Sequence, residues 1–167
     1  MTDVRLFDEI RCQVLKVSGP NKLEKAIDVT QTVKAMASYG VYNFSMTKEG
    51  GATEGLVNVT ISPLDTAGNV ITGVTALDVW ISDVATGIGV AATWVPDTIT
   101  AAEGAVIAAH TAAKVLQCVT NALGVLELVI TDAEYATLGA GYVAVANPST
   151  GRVQTLAIEV ADYTPGE

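Results

Sequence analysis

Charge is scarce in this chain. Only 16% of its 167 residues are Asp, Glu, Lys or Arg, while half are hydrophobic. A surface so thinly charged suits a protein partly covered by neighbours. Aromatic residues make up only 5%, and His110 is the single histidine. A general base needs a carboxylate or nucleophile beside it, and the neighbours of His110 in "AAHTAA" are Ala and Thr. It reads as a loop or packed histidine. The chain has no GxSxG elbow, no GxxxxGK[ST] loop and no GxGxxG turn, so neither a serine-hydrolase nucleophile nor a phosphate cradle is offered. The expectation is a protein without enzymatic activity or cofactor.

Cysteine is equally sparse. Cys12 and Cys118 stand far apart, with no CxxC pair and no histidine at ligand spacing, which argues against a structural zinc or redox motif. Two buried free thiols are the preferred reading over a disulfide. The opening "MTDVRLFDEIRCQV" has no apolar core of signal-peptide length, and no run approaches a membrane span. The chain is therefore expected to be made in a cytoplasm, with no membrane partner.

Basic residues run out after residue 48. Residues 1–48 hold Arg5, Arg11, Lys16, Lys22, Lys25, Lys34 and Lys48 against five acidic residues, a balance of +2. Residues 49–167 hold only Lys114 and Arg152 against thirteen acidic residues, a balance of −11. The total of −9 argues against nucleic acid, because phosphate contacts need Lys and Arg. The split suggests two surfaces with different partners, or two segments that meet; a chance cluster on a solvated face is the plainer alternative.

What the chain does have is Val, Ile, Thr, Ala and Gly in short alternating runs. "RCQVLKVS" reads as a strand closed by "GPN". Residues 22–45 fit helical and strand periodicity alike, with "IDVTQTV" favouring strand. "TKEGGATEG", residues 47–55, looks like a linker or exposed loop. The expected division is an attachment or assembly segment, 1–48, and a main domain, 49–167. In that domain Val57, Val59 and Ile61 share one face, as do Leu77, Val79 and Ile81, then Leu126, Leu128 and Ile130, and finally Leu156, Ile158 and Val160. "DTAGN" supplies a turn at Gly68-Asn69. "WVPDTIT" holds a short strand at best, and "AAEGAVIAAHTAA" reads as a loop or helical turn. Six or so short strands with one apolar face describe an antiparallel sandwich, mainly β.

"VNVTISPLDTAGNVITGVTALDVWIS" resembles the opening of immunoglobulin-like modules in bacterial and phage proteins, with Asp65, Gly68, Asn69, Val70 and Gly73 at the turn positions. "VTNALGVLELVITD" and "GYVAVANPSTGRVQTLAIEVA" look like a later strand and the closing hairpin of such modules. The resemblance covers roughly residues 55–161, and the arrangement of a distinctive N-terminal piece followed by such a sandwich is similar to that of small virion proteins of tailed bacteriophages. The Ala/Gly-rich stretch 84–112 departs from a minimal module. The resemblance implies an immunoglobulin-like β-sandwich behind an N-terminal attachment segment. It also implies a structural role in the virion as a capsid decoration, head-fibre or tail-associated subunit. Its partners would be capsid or tail subunits and further copies of itself. The alternative is an adhesin-like or carbohydrate-binding module that recognises a host surface.

Few residues stand out as contacts. Tyr39, Tyr42 and Phe44 gather in "SYGVYNFSM", and Trp94 lies in "TWVP". Trp80 is out of phase with Leu77, Val79 and Ile81, so it is either an outer-face anchor or the core tryptophan of a sandwich read in the opposite phase. Asp65 and Asn69, with Asp83 or Asp97, carry oxygens of the kind Ca²⁺ takes. Without a dense Asp-x-Asp string, turn stabilisation is the preferred role. Asn58 fits the glycosylation pattern, which means little without a secretory signal.

Overall fold

The computed structural model describes residues 41–138, 141–148 and 151–163. The chain divides into two compact units, Met1–Gly40 and Val41–Glu167; the described residues all belong to the second. Tyr39, Cys12 and the helix-or-strand question up to Gly40 lie outside them.

Among the described residues, nine strands follow in order: β1 Asn43–Gly50, β2 Leu56–Leu64, β3 Ala76–Ser82, β4 Thr98–Glu103, β5 Ala105–Thr111, β6 Val115–Val119, β7 Leu126–Thr131, β8 Gly141–Ala146 and β9 Val153–Ile158. A single helical turn, α1 (Tyr135–Leu138), precedes β8, and a 3-10 turn spans Val160–Tyr163. The strands form two antiparallel sheets, β1-β2-β7-β4 and β5-β6-β3-β8-β9. The alternation that marks these segments as strands also decides what they bury. Val57, Val59 and Ile61 from β2 and Leu126, Leu128 and Ile130 from β7 meet Leu77, Val79 and Ile81 from β3 and Val143 and Val145 from β8 in one core. Each such side chain contributes roughly 1.5–3 kcal/mol on leaving water. The protein is a mainly β, antiparallel sandwich.

In immunoglobulin lettering, which follows the chain, the sheets hold the positions A-B-E-D and C″-C′-C-F-G. The path between C and E differs. From β3 in the C position the chain visits the D position first (β4), then C″ (β5) and C′ (β6), before β7 takes E. Gly104 makes this possible. It joins β4 to β5 with φ of 75°, and a Cβ there would strike the carbonyl oxygen of Val119. The chain thus leaves one sheet and enters the other without a loop, using the conformational freedom that glycine alone has.

Several expectations are corrected. Residues 105–111, read as loop or helical turn, are strand β5. Residues 43–50 are strand β1, paired with β2 along its whole length. The unit boundary falls before Val41, so residues 41–48 belong to the sandwich rather than to an attachment segment. Val160 does not share the face of Leu156 and Ile158; the strand has ended, and Val160 is exposed in the 3-10 turn.

Candidate interaction surfaces

The aromatic residues named from the sequence have different fates. Tyr42 is half exposed, and the Arg152 guanidinium lies 4.3 Å over its ring. Arg152 also donates to the Tyr42 carbonyl at 3.1 Å, which ties the start of the sandwich to the β8–β9 turn. Phe44 and Trp94 are core residues, 3% and 0% exposed, and are not available as contacts. Phe44 alternates inward from β1, and Trp94 is drawn in where Gly141 leaves space, its ring lying where a Cβ at Gly141 would be. Tyr39 lies outside the described residues.

Trp80 sits on the outer face of the five-stranded sheet with Asp78, half buried. What covers it is the connection between β3 and β4. The Trp80 indole Nε1 donates to the Gly87 carbonyl at 2.9 Å, and Thr155 Oγ1 on β9 donates to the Ala85 carbonyl at 2.6 Å. Gly87 has φ of 68° and presses on the sheet, since a Cβ there would come within 2.9 Å of Thr155, 3.0 Å of Val153 and 3.2 Å of Ala144. The far side of the loop is anchored by Asp83, whose carboxylate accepts the backbone N–H groups of Ala92, Thr93 and Trp94 and the Thr93 hydroxyl. The Ala92 N–H above all, then those of Thr93 and Trp94, hold the Asp83 pKa down to about 2. The aspartates considered for Ca²⁺ likewise serve backbone. Asp65 accepts from Ala67 and Asn69 within its turn, and Asp97 accepts from Ala133. Backbone donation from Asn69 lowers the Asp65 pKa. Among the described residues, no group of three His, Cys, Asp or Glu side chains is placed to hold a metal ion.

At the end of the sandwich where β1 finishes and β2 begins lies a second cluster, unseen in the sequence. Tyr163 is fully buried and stacks on Tyr135 with ring centroids 5.2 Å apart. Its carbonyl accepts the Gly55 N–H at 3.1 Å, and the Tyr135 hydroxyl donates to Glu54. That bond to Glu54 raises the Tyr135 pKa. Trp94 Nε1, the Tyr163 hydroxyl and Asp132 Oδ2 are buried there without hydrogen-bond partners. Burial first, then the Asp132 charge, raises the Tyr163 pKa. Cys118 is a free buried thiol, pushed up to about 11 by burial and then by Asp78. His110 is exposed on β5, and Asn58 is half buried in the middle of β2.

Charge is distributed unevenly between the sheets. β3, β5, β6, β8 and β9 contain one residue that is Asp, Glu, Lys or Arg, namely Asp78. The strands of the other sheet carry Lys48, Glu49, Glu103 and Glu127. The connection over the five-stranded sheet is also uncharged from Val84 to Pro96, and within it Val84, Ile88 and Val90 are exposed, Ile88 by 79%. This signal was legible in the sequence as the uncharged Ala/Gly stretch, but not its position on a sheet face.

No family model, curated protein or solved structure matches the chain.

Proposed function

We propose that this chain is a non-enzymatic structural subunit of a bacteriophage particle, a capsid decoration, head-fibre or tail-associated protein. In this role the acidic sandwich stands among neighbouring subunits, and the segment ahead of Val41 attaches or assembles it. The observation that carries the reading is the five-stranded sheet, which has one charged residue in its strands and an exposed apolar loop pinned across it. A face of that kind is costly for a solitary protein and natural for one packed against others. The likeness of residues 55–161 to modules of tailed-phage virion proteins supports the same role. A host-surface binding module gains less support, since Phe44 and Trp94, two of the aromatics it would display, are buried.

The test is mass spectrometry of density-purified particles from the lysed source culture. Peptides of this chain are expected in the particle fraction at the stoichiometry of a structural subunit. Abundant peptides in the soluble lysate with none in particles would overturn the reading.

A further inference from the structure

We propose that Trp94 Nε1 and Asp132 Oδ2, beside the Tyr163 hydroxyl, hold an internal water molecule that ties together three connections at the end of the sandwich where β1 finishes. The inference concerns the sandwich itself and does not rest on the particle role.

The three side chains arrive from different parts of the chain. Trp94 belongs to the connection between β3 and β4, Asp132 follows β7, and Tyr163 closes the 3-10 turn. Backbone brings two of them to one glycine. The Gly55 N–H donates to the Tyr163 carbonyl at 3.1 Å, and the Gly55 carbonyl accepts the Asp132 N–H at 2.9 Å. The Trp94 indole N–H stands beside the Tyr163 hydroxyl, and the Asp132 charge acts on that hydroxyl. Trp94 and Tyr163 are fully buried, and Asp132 is 3% exposed. Trp94 Nε1, Asp132 Oδ2 and the Tyr163 hydroxyl have no partner among the described residues. Buried polar atoms are costly unless bonded, and three of them at one place call for a common partner.

Small movements do not join them directly. The Trp94 ring is seated against Gly141, and the Tyr163 ring is stacked on Tyr135. Asp132 is held by its other oxygen, Oδ1, which accepts the Glu134 N–H at 2.9 Å. Each group is fixed from behind, in an interior packed too closely for rings to swing.

The chemistry of the set selects the occupant. An indole N–H only donates, a carboxylate oxygen only accepts, and a phenol hydroxyl does either. A cation is opposed by the indole N–H and an anion by the carboxylate. What suits both is a small neutral molecule that accepts from Trp94 and donates to Asp132. Water is that molecule, and a buried water typically makes about three such bonds. The hydroxyl supplies the third contact in whichever role the water leaves free, so it is the dispensable one.

The test is NMR of the full chain with ¹⁵N-labelled tryptophan, comparing NOE and ROE transfer from water to each indole Hε1. A trapped water gives an NOE opposite in sign to its ROE; passing solvent does not. Trp80, whose Nε1 donates to the Gly87 carbonyl at 2.9 Å, is the internal reference, and Trp80→Phe tells the two signals apart. The expected result is trapped-water transfer at Trp94 Hε1, retained in Tyr163→Phe, where a hydroxyl proton exchanging with solvent can no longer imitate it. No such transfer in wild type overturns the proposal, as does its loss in Tyr163→Phe. A crystal structure gives an independent readout. One oxygen within hydrogen-bond distance of both Trp94 Nε1 and Asp132 Oδ2 is expected; a direct indole–hydroxyl bond, with no oxygen between Trp94 and Asp132, overturns the proposal.

Discussion

At the scale of single residues, the fold leans on a few positions with no alternative. Gly124 has φ of 79°, and a Cβ there would collide with the carbonyl of Ile71. Gly68 has a similar φ of 84°, but its Cβ would meet nothing within 4 Å. Gly68→Ala should therefore cost the left-handed strain alone, about 1 kcal/mol, and Gly124→Ala that strain plus a backbone shift, about 3 kcal/mol. Urea midpoints read by tryptophan fluorescence decide this, because both tryptophans, Trp80 and Trp94, lie in the sandwich. Equal losses would mean that the Ile71 turn yields freely. Tyr163 permits a sharper comparison. Its ring fills the core, but its hydroxyl is buried without a partner. Tyr163→Ala should cost about 3–5 kcal/mol, as large aromatic truncations do. Tyr163→Phe should cost less than about 1 kcal/mol, since the hydroxyl stands beside Trp94 Nε1 outside hydrogen-bond geometry. A loss above about 1 kcal/mol for the phenylalanine variant would show that the hydroxyl is bonded in solution.

At the scale of elements, strands with one buried face were legible and strands without one were not. β2, β3 and β7 bury every second residue, and that period of two is visible in the sequence. β5 is an edge strand with two register shifts and mostly exposed side chains, so it carries no alternation to read. β1 looked like a linker because its outward half, Thr47 to Gly50, is polar and ends in glycine; only the pairing with β2 makes it a strand. Trp80 illustrates both the strength and the limit of periodicity. Periodicity left it open between the outer face and the core; it lies on the outer face, and nothing local shows that a loop seven residues onward covers it. That loop should respond to acid. The folded Asp83 pKa is held near 2, below the ordinary 3.8, so its carboxylate supports the loop fully above about pH 4, and the support fades as pH falls towards 2. Hydrogen exchange at the amides of Ala92, Thr93 and Trp94 should accelerate across that window relative to amides of β7. Asp83→Asn should remove the pH dependence. Uniform acceleration in both places would point to global unfolding instead.

At the scale of the whole molecule, composition announced a chain with too little charge to cover itself, and the fold shows where the shortage falls. Acidic residues gather instead at one end. Glu49, Glu54, Asp83, Asp97, Asp132, Glu134, Glu159 and Asp162 all lie in or beside the connections at the end where β1 finishes, with Lys48 and Lys114 as the cations among the described residues there. Lys114 is turned to the Ala91 carbonyl at 3.0 Å. Lys48 makes the described ion pair of that end, 2.6 Å from Asp162, with the two side chains 27% and 20% exposed. The pair fastens the closing 3-10 turn, and with it Tyr163, to β1, a link between the two ends of the sandwich's chain that no local motif predicts. Mutual repulsion among the carboxylates opposes this closure, and salt screens it over a Debye length of about 10 Å at 0.1 M. Lys48→Met keeps the aliphatic stem and removes the charge. It should lower stability by about 1 kcal/mol at low salt, the range of a favourable, partly exposed pair. As sodium chloride rises towards about 1 M, where screening reaches about 3 Å, the difference between wild type and variant should shrink to near zero. A gap in urea midpoint that stays constant across the salt series would show that Lys48 acts through packing rather than through its charge.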